Sequence, residues 1–311
     1  MTPAAGLQSD PGAFCDLAGL VARLRDVRAA GAERPHGSPD APPRVSRAAV
    51  LAFRRDFVAA LFPGQFGPQD LTADGLQGFV THTIDTALRS LETQASREIA
   101  HDAETNGYPD QRAREIRNEF AAALPQVLAL LNADVRAAFE GDPAAKSVDE
   151  VLLSYPGVIA IIHHRLAHQL YRLGAPLIAR ILDEAAHSET GIDIHPGAQI
   201  GEGFFIDHGT GVVIGETAIV GRRVRIYQAV TLGARRFTTD EHGGLAKNYP
   251  RHPIIEDDVV IYAGATILGR ITIGRGSQIG GNVWLTRGVP PGSNVMQAQP
   301  RTEAFDDGSG I

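Results

Sequence analysis

The sequence predicts an α+β protein in which an N-terminal all-α helical domain is followed by a parallel β-helix. Between residues 46 and 190, apolar side chains recur at spacings near three and four, the pattern of amphipathic helices. From residue 191 to residue 296 the spacing changes to six. Glycine is frequent in this second part, and it suits short strands that are joined by tight corners.

A leader of 45 residues precedes the helical domain. It is rich in alanine, glycine and proline, so we expect a flexible segment with one short helix from Phe14 to Ala29. Its Cys15 is the only cysteine of the chain, which excludes an intrachain disulfide. Neither a secretory signal nor an apolar run of roughly 18 residues is visible. These features predict a cytoplasmic location.

The charge balance argues against two classes of partner. A formal net charge of −7 disfavours a broad nucleic-acid or acidic-membrane footprint, so neither partner is expected. A local basic patch of Arg222, Arg223 and Arg225 could bind a phosphate, but it is interpreted as a solvated strand face.

Three histidines stand close together near the end of the helical domain, at His163, His164 and His168. In a helix, the first two project about 100° apart. No cysteine or paired carboxylate completes a ligand set. We therefore interpret them as helix-surface or core histidines, and no metal is expected.

Thirteen aliphatic residues follow the six-residue period. They are Ile194, Ile200, Ile206, Ile214, Val220, Ile226, Leu232, Ile255, Ile261, Ile267, Ile273, Ile279 and Leu285. If each unit is a short strand plus a corner, three units close one triangular coil, and these side chains stack inward. The period breaks twice: at Gly209–Gly211, directly after Asp207 and His208, and over an excursion from Ala234 to Pro253. Loops on a rigid scaffold commonly carry binding groups.

His208 is the candidate for acid–base chemistry. Activation of a substrate hydroxyl needs a base, because a hydroxyl is a weak nucleophile near neutral pH. Histidine titrates in the right range, and a carboxylate on its other nitrogen fixes the tautomer. Asp193 lies fifteen residues earlier, a little under one coil, so the two side chains are expected to approach each other.

An ordered set of motifs resembles the serine acetyltransferase family. The segments are Asp193-Ile194-His195-Pro196, Ile206-Asp207-His208-Gly209-Thr210-Gly211, Gly215-Glu216-Thr217-Ala218, Val230-Thr231-Leu232-Gly233 and Arg251-His252-Pro253. The resemblance implies a left-handed β-helix that transfers acetyl from acetyl-CoA to the L-serine hydroxyl, giving O-acetylserine for cysteine biosynthesis. It implies His208 as general base with Asp193 as its partner, Asp142 and Asp207 on the serine ammonium, and Arg251 and His252 on its carboxylate.

The resemblance also implies how the molecule assembles and binds its donor. Family sites lie in clefts between neighbouring prisms of a trimer. Whether two such trimers pair into a dimer of trimers depends on the helical domain and stays open. Ala263, Gly264 and Gly281 would let the coenzyme lie close to the backbone. With no cysteine in the repeat domain, we expect direct attack in a ternary complex. The tail, residues 297–311, ends in Ile311, which the resemblance assigns to docking on O-acetylserine sulfhydrylase.

Three alternatives stay open on the sequence alone. The first is an acyltransferase of the same scaffold with another acceptor, such as a sugar or a different amino acid. The second is a zinc lyase of the γ carbonic anhydrase type, in which His195, His208 and His252 would be the zinc ligands. The third is a non-catalytic scaffold that only binds the sulfhydrylase. Cysteine has the shape of serine, so feedback inhibition is also predicted.

Overall fold

The computed structural model describes residues 16–31, 43–101, 108–241, 243–247 and 249–298. Cys15, Ile311 and most of the predicted leader and tail lie outside these residues. The chain divides into two units at Pro43. The first contains one described helix, α1 (Leu17–Gly31), where a helix from Phe14 to Ala29 was predicted. The second unit begins at Arg44 and holds the remaining described elements.

Seven helices open the second unit within the described residues. They are α2 (Arg47–Leu61), α3 (Pro63–Phe66), α4 (Ala73–His101), α5 (Pro109–Gly141), α6 (Val148–Ser154), α7 (Pro156–Arg172) and α8 (Pro176–Thr190). Ser46 caps α2, because its hydroxyl accepts the Ala49 N–H at 3.3 Å. The predicted histidines His163 and His164 are buried on α7. No described helix is both long and apolar enough to cross a membrane.

Fourteen short strands follow within the described residues. They are β1 (Asp193–Ile194), β2 (Gln199–Ile200), β3 (Phe205–Ile206), β4 (Val213–Ile214), β5 (Ile219–Val220), β6 (Arg225–Ile226), β7 (Thr231–Gly233), β8 (Ile254–Ile255), β9 (Val260–Ile261), β10 (Thr266–Leu268), β11 (Thr272–Ile273), β12 (Gln278–Ile279), β13 (Trp284–Leu285) and β14 (Asn294–Val295). They form three parallel sheets: sheet A (β1-β4-β7-β10-β13), sheet B (β2-β5-β8-β11) and sheet C (β3-β6-β9-β12-β14). As far as β13, successive strands therefore visit the three faces of a triangular prism in turn; between β13 and β14, sheet B is continued only by an isolated bridge from Ile273 to Val289.

The predicted inward ladder is present. Ile194 pairs with Ile214, which pairs with Leu232, and the same register continues to Ile267 and Leu285. All thirteen predicted aliphatic residues are buried except Leu285, which is half-buried in the last coil. Stacking of identical positions gives the prism one continuous apolar core. The predicted fold, helices followed by a left-handed β-helix of hexapeptide repeats, is confirmed.

The two breaks in the period lie on different edges of the prism. The slip after His208 joins β3 of sheet C to β4 of sheet A, and we call this corner the C–A edge. The excursion leaves β7 of sheet A and returns to β8 of sheet B, at the A–B edge. An antiparallel bridge between Thr239 and Leu245 closes a small hairpin inside the excursion.

A buried ion pair fastens the helices to the first coil. Arg165 on α7 makes two hydrogen bonds, of 3.0 and 3.1 Å, to the Asp134 carboxylate on α5. The same guanidinium donates to the carbonyls of Ile200 and Gly201, and Asp134 accepts the N–H of Phe204 at 2.9 Å. The donors and acceptors satisfy one another, which is the condition for a stable buried pair.

Candidate active site

The C–A edge carries the first group of polar side chains. His208 follows β3 in the left-handed region, at φ 61°, and its side chain is 71% exposed. This conformation is uncommon outside glycine, and it turns the imidazole out of the prism. The nearest carboxylate recorded in the described residues is that of Asp207, whose Oδ1 lies 3.9 Å from Nε2 of His208.

Asp207 is buried and held by an arginine from the next coil. Arg225 donates from one Nη atom to the Asp207 Oδ2 at 2.6 Å and from the other to the Gly141 carbonyl at 2.7 Å. Its guanidinium also lies against the rings of Phe205 and Tyr227, 4.9 and 4.8 Å from their centroids. Arg225 is therefore not on a solvated strand face, as the sequence suggested, but fixes the carboxylate beside His208.

Asp142 joins this group from the end of α5. Its Oδ1 accepts the Ala144 N–H at 2.8 Å and its Oδ2 accepts the Tyr155 hydroxyl at 2.5 Å. These hydrogen bonds, with smaller contributions from Arg225 and His208, hold the pKa of the Asp142 carboxyl below its usual value. The same bond raises the pKa of Tyr155 to about 12. Asp142, Asp207 and His208 are thus brought together.

Asp193 lies on β1, beside the slip. Its N–H donates to the Val212 carbonyl at 2.9 Å, and the preceding Ile192 packs against Gly209, where a Cβ would lie 2.4 Å from the Ile192 Cδ1. A hydrogen bond between Asp193 and His208 is not among those of the described residues. The orienting role of Asp193 therefore stays a prediction.

The A–B edge carries the second group, around Arg251 and His252. Arg251 donates from Nη2 to the Glu216 Oε2 at 2.5 Å, and its backbone N–H donates to the Thr217 hydroxyl at 2.9 Å. Glu216 also accepts the Tyr171 hydroxyl at 3.1 Å. Burial alone raises the pKa of the Glu216 carboxyl, but the Arg251 and Tyr171 bonds outweigh it, and the net shift is downward. Glu216 therefore stays ionised and orients the guanidinium.

His252 is buried and neutral. Burial, followed by the charge of Arg251, lowers the pKa of its imidazole to about 4. Its Nδ1 accepts the Thr217 N–H at 3.1 Å, which leaves the proton of the neutral ring on Nε2. Gly215 faces the ring, and a Cβ at that position would lie 2.1 Å from Nε2. Glycine is required there because any side chain would displace the imidazole.

One chain does not bring the two groups together. Asp207 and His208 sit on the C–A edge, whereas Arg251 and His252 sit on the A–B edge, so the width of sheet A separates them. Within the described part of the chain, no group of three or more His, Cys, Asp or Glu residues is arranged to hold a metal ion.

The predicted coenzyme residues lie on the same edge as His208. Ala263 and Gly264 follow β9, and Gly281 follows β12, so all three stand at C–A corners of later coils. With strands spaced about 4.8 Å apart, Ala263 and Gly264 lie about 10 Å, and Gly281 about 14 Å, further along the prism than His208. Gly264 has φ +72°, and a Cβ there would lie 2.2 Å from the Asn282 Oδ1.

Four supporting side chains were not identified from the sequence: Tyr155, Arg225, Glu216 and Thr217. Glu216 and Thr217 belong to one of the motifs on which the family resemblance was based, and that motif could have indicated them. Tyr155 and Arg225 act across long sequence separations, to Asp142 and Asp207, and no local pattern marks such pairs.

Comparisons with known proteins agree on one family. The model described as "Serine acetyltransferase, N-terminal" matches residues 72–162, and "Bacterial transferase hexapeptide (six repeats)" matches residues 252–287. A plasmid serine acetyltransferase of Synechococcus elongatus is 56% identical over 276 residues, covering 86% of each chain. That of Mycobacterium tuberculosis is 50% identical over 55% of this chain and 70% of its own.

Solved structures give the same answer. Serine acetyltransferase isoform 3 of Entamoeba histolytica, in complex with cysteine, superposes with a TM-score of 0.70 at 32% identity, covering 94% of this chain and 96% of its own. The Neisseria gonorrhoeae enzyme in complex with serine has a TM-score of 0.53 at 30% identity, covering 81% and 97%. On sequence and fold together, the chain belongs to the serine acetyltransferase family.

Proposed function

We propose that this protein transfers the acetyl group of acetyl-CoA to the hydroxyl of L-serine, with His208 as the general base. The observation that carries the proposal is the grouping of Asp142, Asp207 and His208 on one edge of the prism. Two carboxylates beside an exposed imidazole suit a substrate that offers an ammonium group and a hydroxyl a few bonds apart.

In the proposed reaction, the His208 imidazole takes the hydroxyl proton as the serine oxygen attacks the thioester carbonyl. The tetrahedral intermediate collapses, the carbon–sulfur bond breaks, and the imidazolium returns the proton to the departing thiolate. The products are O-acetylserine and free coenzyme A. Asp142 supports the ammonium end because its lowered pKa keeps it ionised.

The carboxylate end of serine is assigned to Arg251 and His252 of a neighbouring copy. A threefold arrangement of prisms sets the C–A edge of one copy against the A–B edge of the next, and each cleft then holds both groups. The Arg251 guanidinium and the Nε2–H of neutral His252 are suitable donors to a carboxylate. A homotrimer, alone or as a dimer of trimers, is part of this proposal.

Acetyl-CoA is proposed to lie along the C–A edge, past Ala263, Gly264 and Gly281. Acetyl transfer is proposed to be direct, in a ternary complex. Steady-state rates measured over both substrates are expected to give intersecting double-reciprocal lines, whereas parallel lines would indicate an acyl-enzyme.

Cysteine inhibition follows from the same geometry. Cysteine offers the ammonium and carboxylate of serine, so Asp142, Asp207 and Arg251 bind both. The similar Entamoeba histolytica enzyme was solved with cysteine bound. We expect cysteine to compete with serine, and unchanged activity at millimolar cysteine argues against this part of the proposal. A cytoplasmic location stays a prediction.

The test is thiol release from acetyl-CoA across a panel of free amino acids and simple sugars. The proposal predicts release that depends on L-serine, is lost in His208→Ala and persists in His82→Ala, a matched change at an exposed histidine of α4. Release with another acceptor instead favours the wider acyltransferase alternative. Release that survives His208→Ala removes His208 as the base.

A further inference from the structure

A cavity of about 240 Å³ lies among helices α2, α3, α7 and α8. None of the residues that line it belongs to the candidate active site. Four of them are apolar, Val58, Phe66, Ile159 and Ile162. At about 30 Å³ per water, the volume corresponds to roughly eight water molecules, the size of a small organic ion and far below that of a nucleotide.

Arg54 on α2 supplies a charge to this cavity. Its side chain is only 19% exposed, and its Nη2 lies 3.4 Å from the Glu189 Oε2. Its Nε and Nη1 are buried and, in the described part of the chain, have no hydrogen-bond partner. A guanidinium is permanently charged, so N–H groups withdrawn from water favour an anionic acceptor strongly.

His163 on α7 supplies a second polar group. It is 5% exposed, and among the described residues its Nδ1 also has no hydrogen-bond partner. Burial, with a smaller contribution from Arg54, lowers the pKa of the His163 imidazole to about 3. The ring is neutral at physiological pH, so the charged groups at the cavity are Arg54, Arg55 and Glu189, and Arg54 is the least exposed of the three.

We propose that this cavity is a binding site for a short-chain aliphatic carboxylate, separate from the acetyltransfer site. The carboxylate contacts the Arg54 guanidinium and His163, and the hydrocarbon packs against Phe66, Ile159 and Ile162. Two sources share this chemistry, a free carboxylic acid and an aliphatic α-amino acid. Glu189 at the mouth provides an acceptor for the ammonium group of the second. Neither source requires the proposed acetyltransferase activity.

Calorimetric titration of the full-length protein tests the site with three probes of one carbon skeleton: isovalerate, L-valine and isovaleramide. Excess L-serine is kept present, so that a general amino-acid site is occupied. Saturable binding of isovalerate or L-valine is expected, without binding of the uncharged amide. The stronger of the two acids identifies the source.

Arg54→Met is expected to weaken binding at least tenfold, because a charge-assisted hydrogen bond is lost. Arg89→Met, at a 75% exposed arginine of α4, is the matched control and should bind as the parent does. Ile159→Trp fills the cavity but leaves Arg54 unsubstituted, and it should also abolish binding, so the test stands if Arg54→Met does not fold. Absence of saturable binding by both acids, or parental affinity in a folded Arg54→Met or Ile159→Trp protein, overturns the proposal.

Discussion

At the level of single residues, the C–A edge balances two carboxylates against one arginine. Arg225 neutralises Asp207 through a 2.6 Å bond, whereas Asp142 is held by neutral donors from Tyr155 and Ala144. Asp142 thus keeps a negative charge that Arg225 does not pair directly, beside an exposed imidazole. A substrate ammonium group is the complement of that arrangement.

Tyr155→Phe tests this balance. Removing the hydroxyl raises the pKa of Asp142 towards its ordinary value, because the Tyr155 bond is the largest cause of its depression. The parent Asp142 loses its negative charge only when the pH falls to its lowered pKa. In the variant that pKa is higher, so serine affinity is lost at a higher pH than in the parent. We expect KM for serine to rise by up to about tenfold on the acid side, with a smaller change in kcat.

The pH profile of KM is the measurement, and Tyr108→Phe, at a tyrosine that is 83% exposed, is the matched control. A profile of Tyr155→Phe that overlays the parent at every pH would show that the hydroxyl does not influence serine binding.

At the level of elements, helix packing against the first coils positions Asp142. The first turn of α7 meets β3 where Gly157 faces Ile206, and the Arg165–Asp134 pair ties α5 and α7 to β2 and β3. Both contacts hold α5 and α7, whose ends carry Asp142 and Tyr155, against the coil that carries His208. Geometry at the site therefore depends on this junction.

Gly157→Ala is expected to destabilise the junction. The new Cβ would lie 2.2 Å from the Ile206 carbonyl oxygen, so α7 or β3 must move, at about 1–3 kcal/mol. Gly78→Ala is the matched control: it lies inside α4, its new Cβ would meet no atom within 4 Å beyond the neighbouring backbone of its own helix, and it should stabilise by about 0.5–1 kcal/mol. Urea unfolding gives both values. Equal effects of the two substitutions contradict the assigned contact.

Arg165→Met should cost about 3–5 kcal/mol, because it leaves the Asp134 carboxylate buried without its charge partner. Adding Asp134→Leu should return part of that loss. Arg89→Met removes an exposed, solvent-screened pair with Asp85 and should change the free energy of unfolding much less than Arg165→Met does. Denaturant titration measures the free energy of unfolding of each variant. Similar losses at the buried and exposed pairs would rule out the anchoring role of the Arg165–Asp134 pair.

The repeat could be predicted in detail because a coil of three hexapeptides places every sixth side chain in the same core position. Ile194, Ile214 and Leu232 pair directly for that reason. Tyr155 and Arg225 could not be predicted, because their bonds join residues brought close only by helix docking or coil stacking. Arg225 was predicted to face solvent, because nothing in the sequence distinguishes it from Arg222 and Arg223 or indicates its buried partner Asp207.

At the level of the whole molecule, the two polar groups occupy separate edges of one prism. Counting strands shows why: Asp207 and His208 follow a strand of sheet C, whereas Arg251 and His252 precede a strand of sheet B. A single chain therefore carries one polar group on its C–A edge and the other on its A–B edge. In the trimer proposed above, the facing edges of two neighbouring copies together form one complete serine site.

Activity in a mixture of two inactive proteins measures this directly. His208→Ala and Arg251→Gln are each expected to be inactive alone, because they disable opposite halves of every site. In an equal co-assembled mixture, about a quarter of the sites combine an intact C–A edge with an intact A–B edge, so about a quarter of parental activity should return. The control mixture is His208→Ala with Asp207→Asn, which disables the same edge in every copy and should stay inactive. Activity in the first mixture no greater than the sum of its separate components would contradict a site shared between copies.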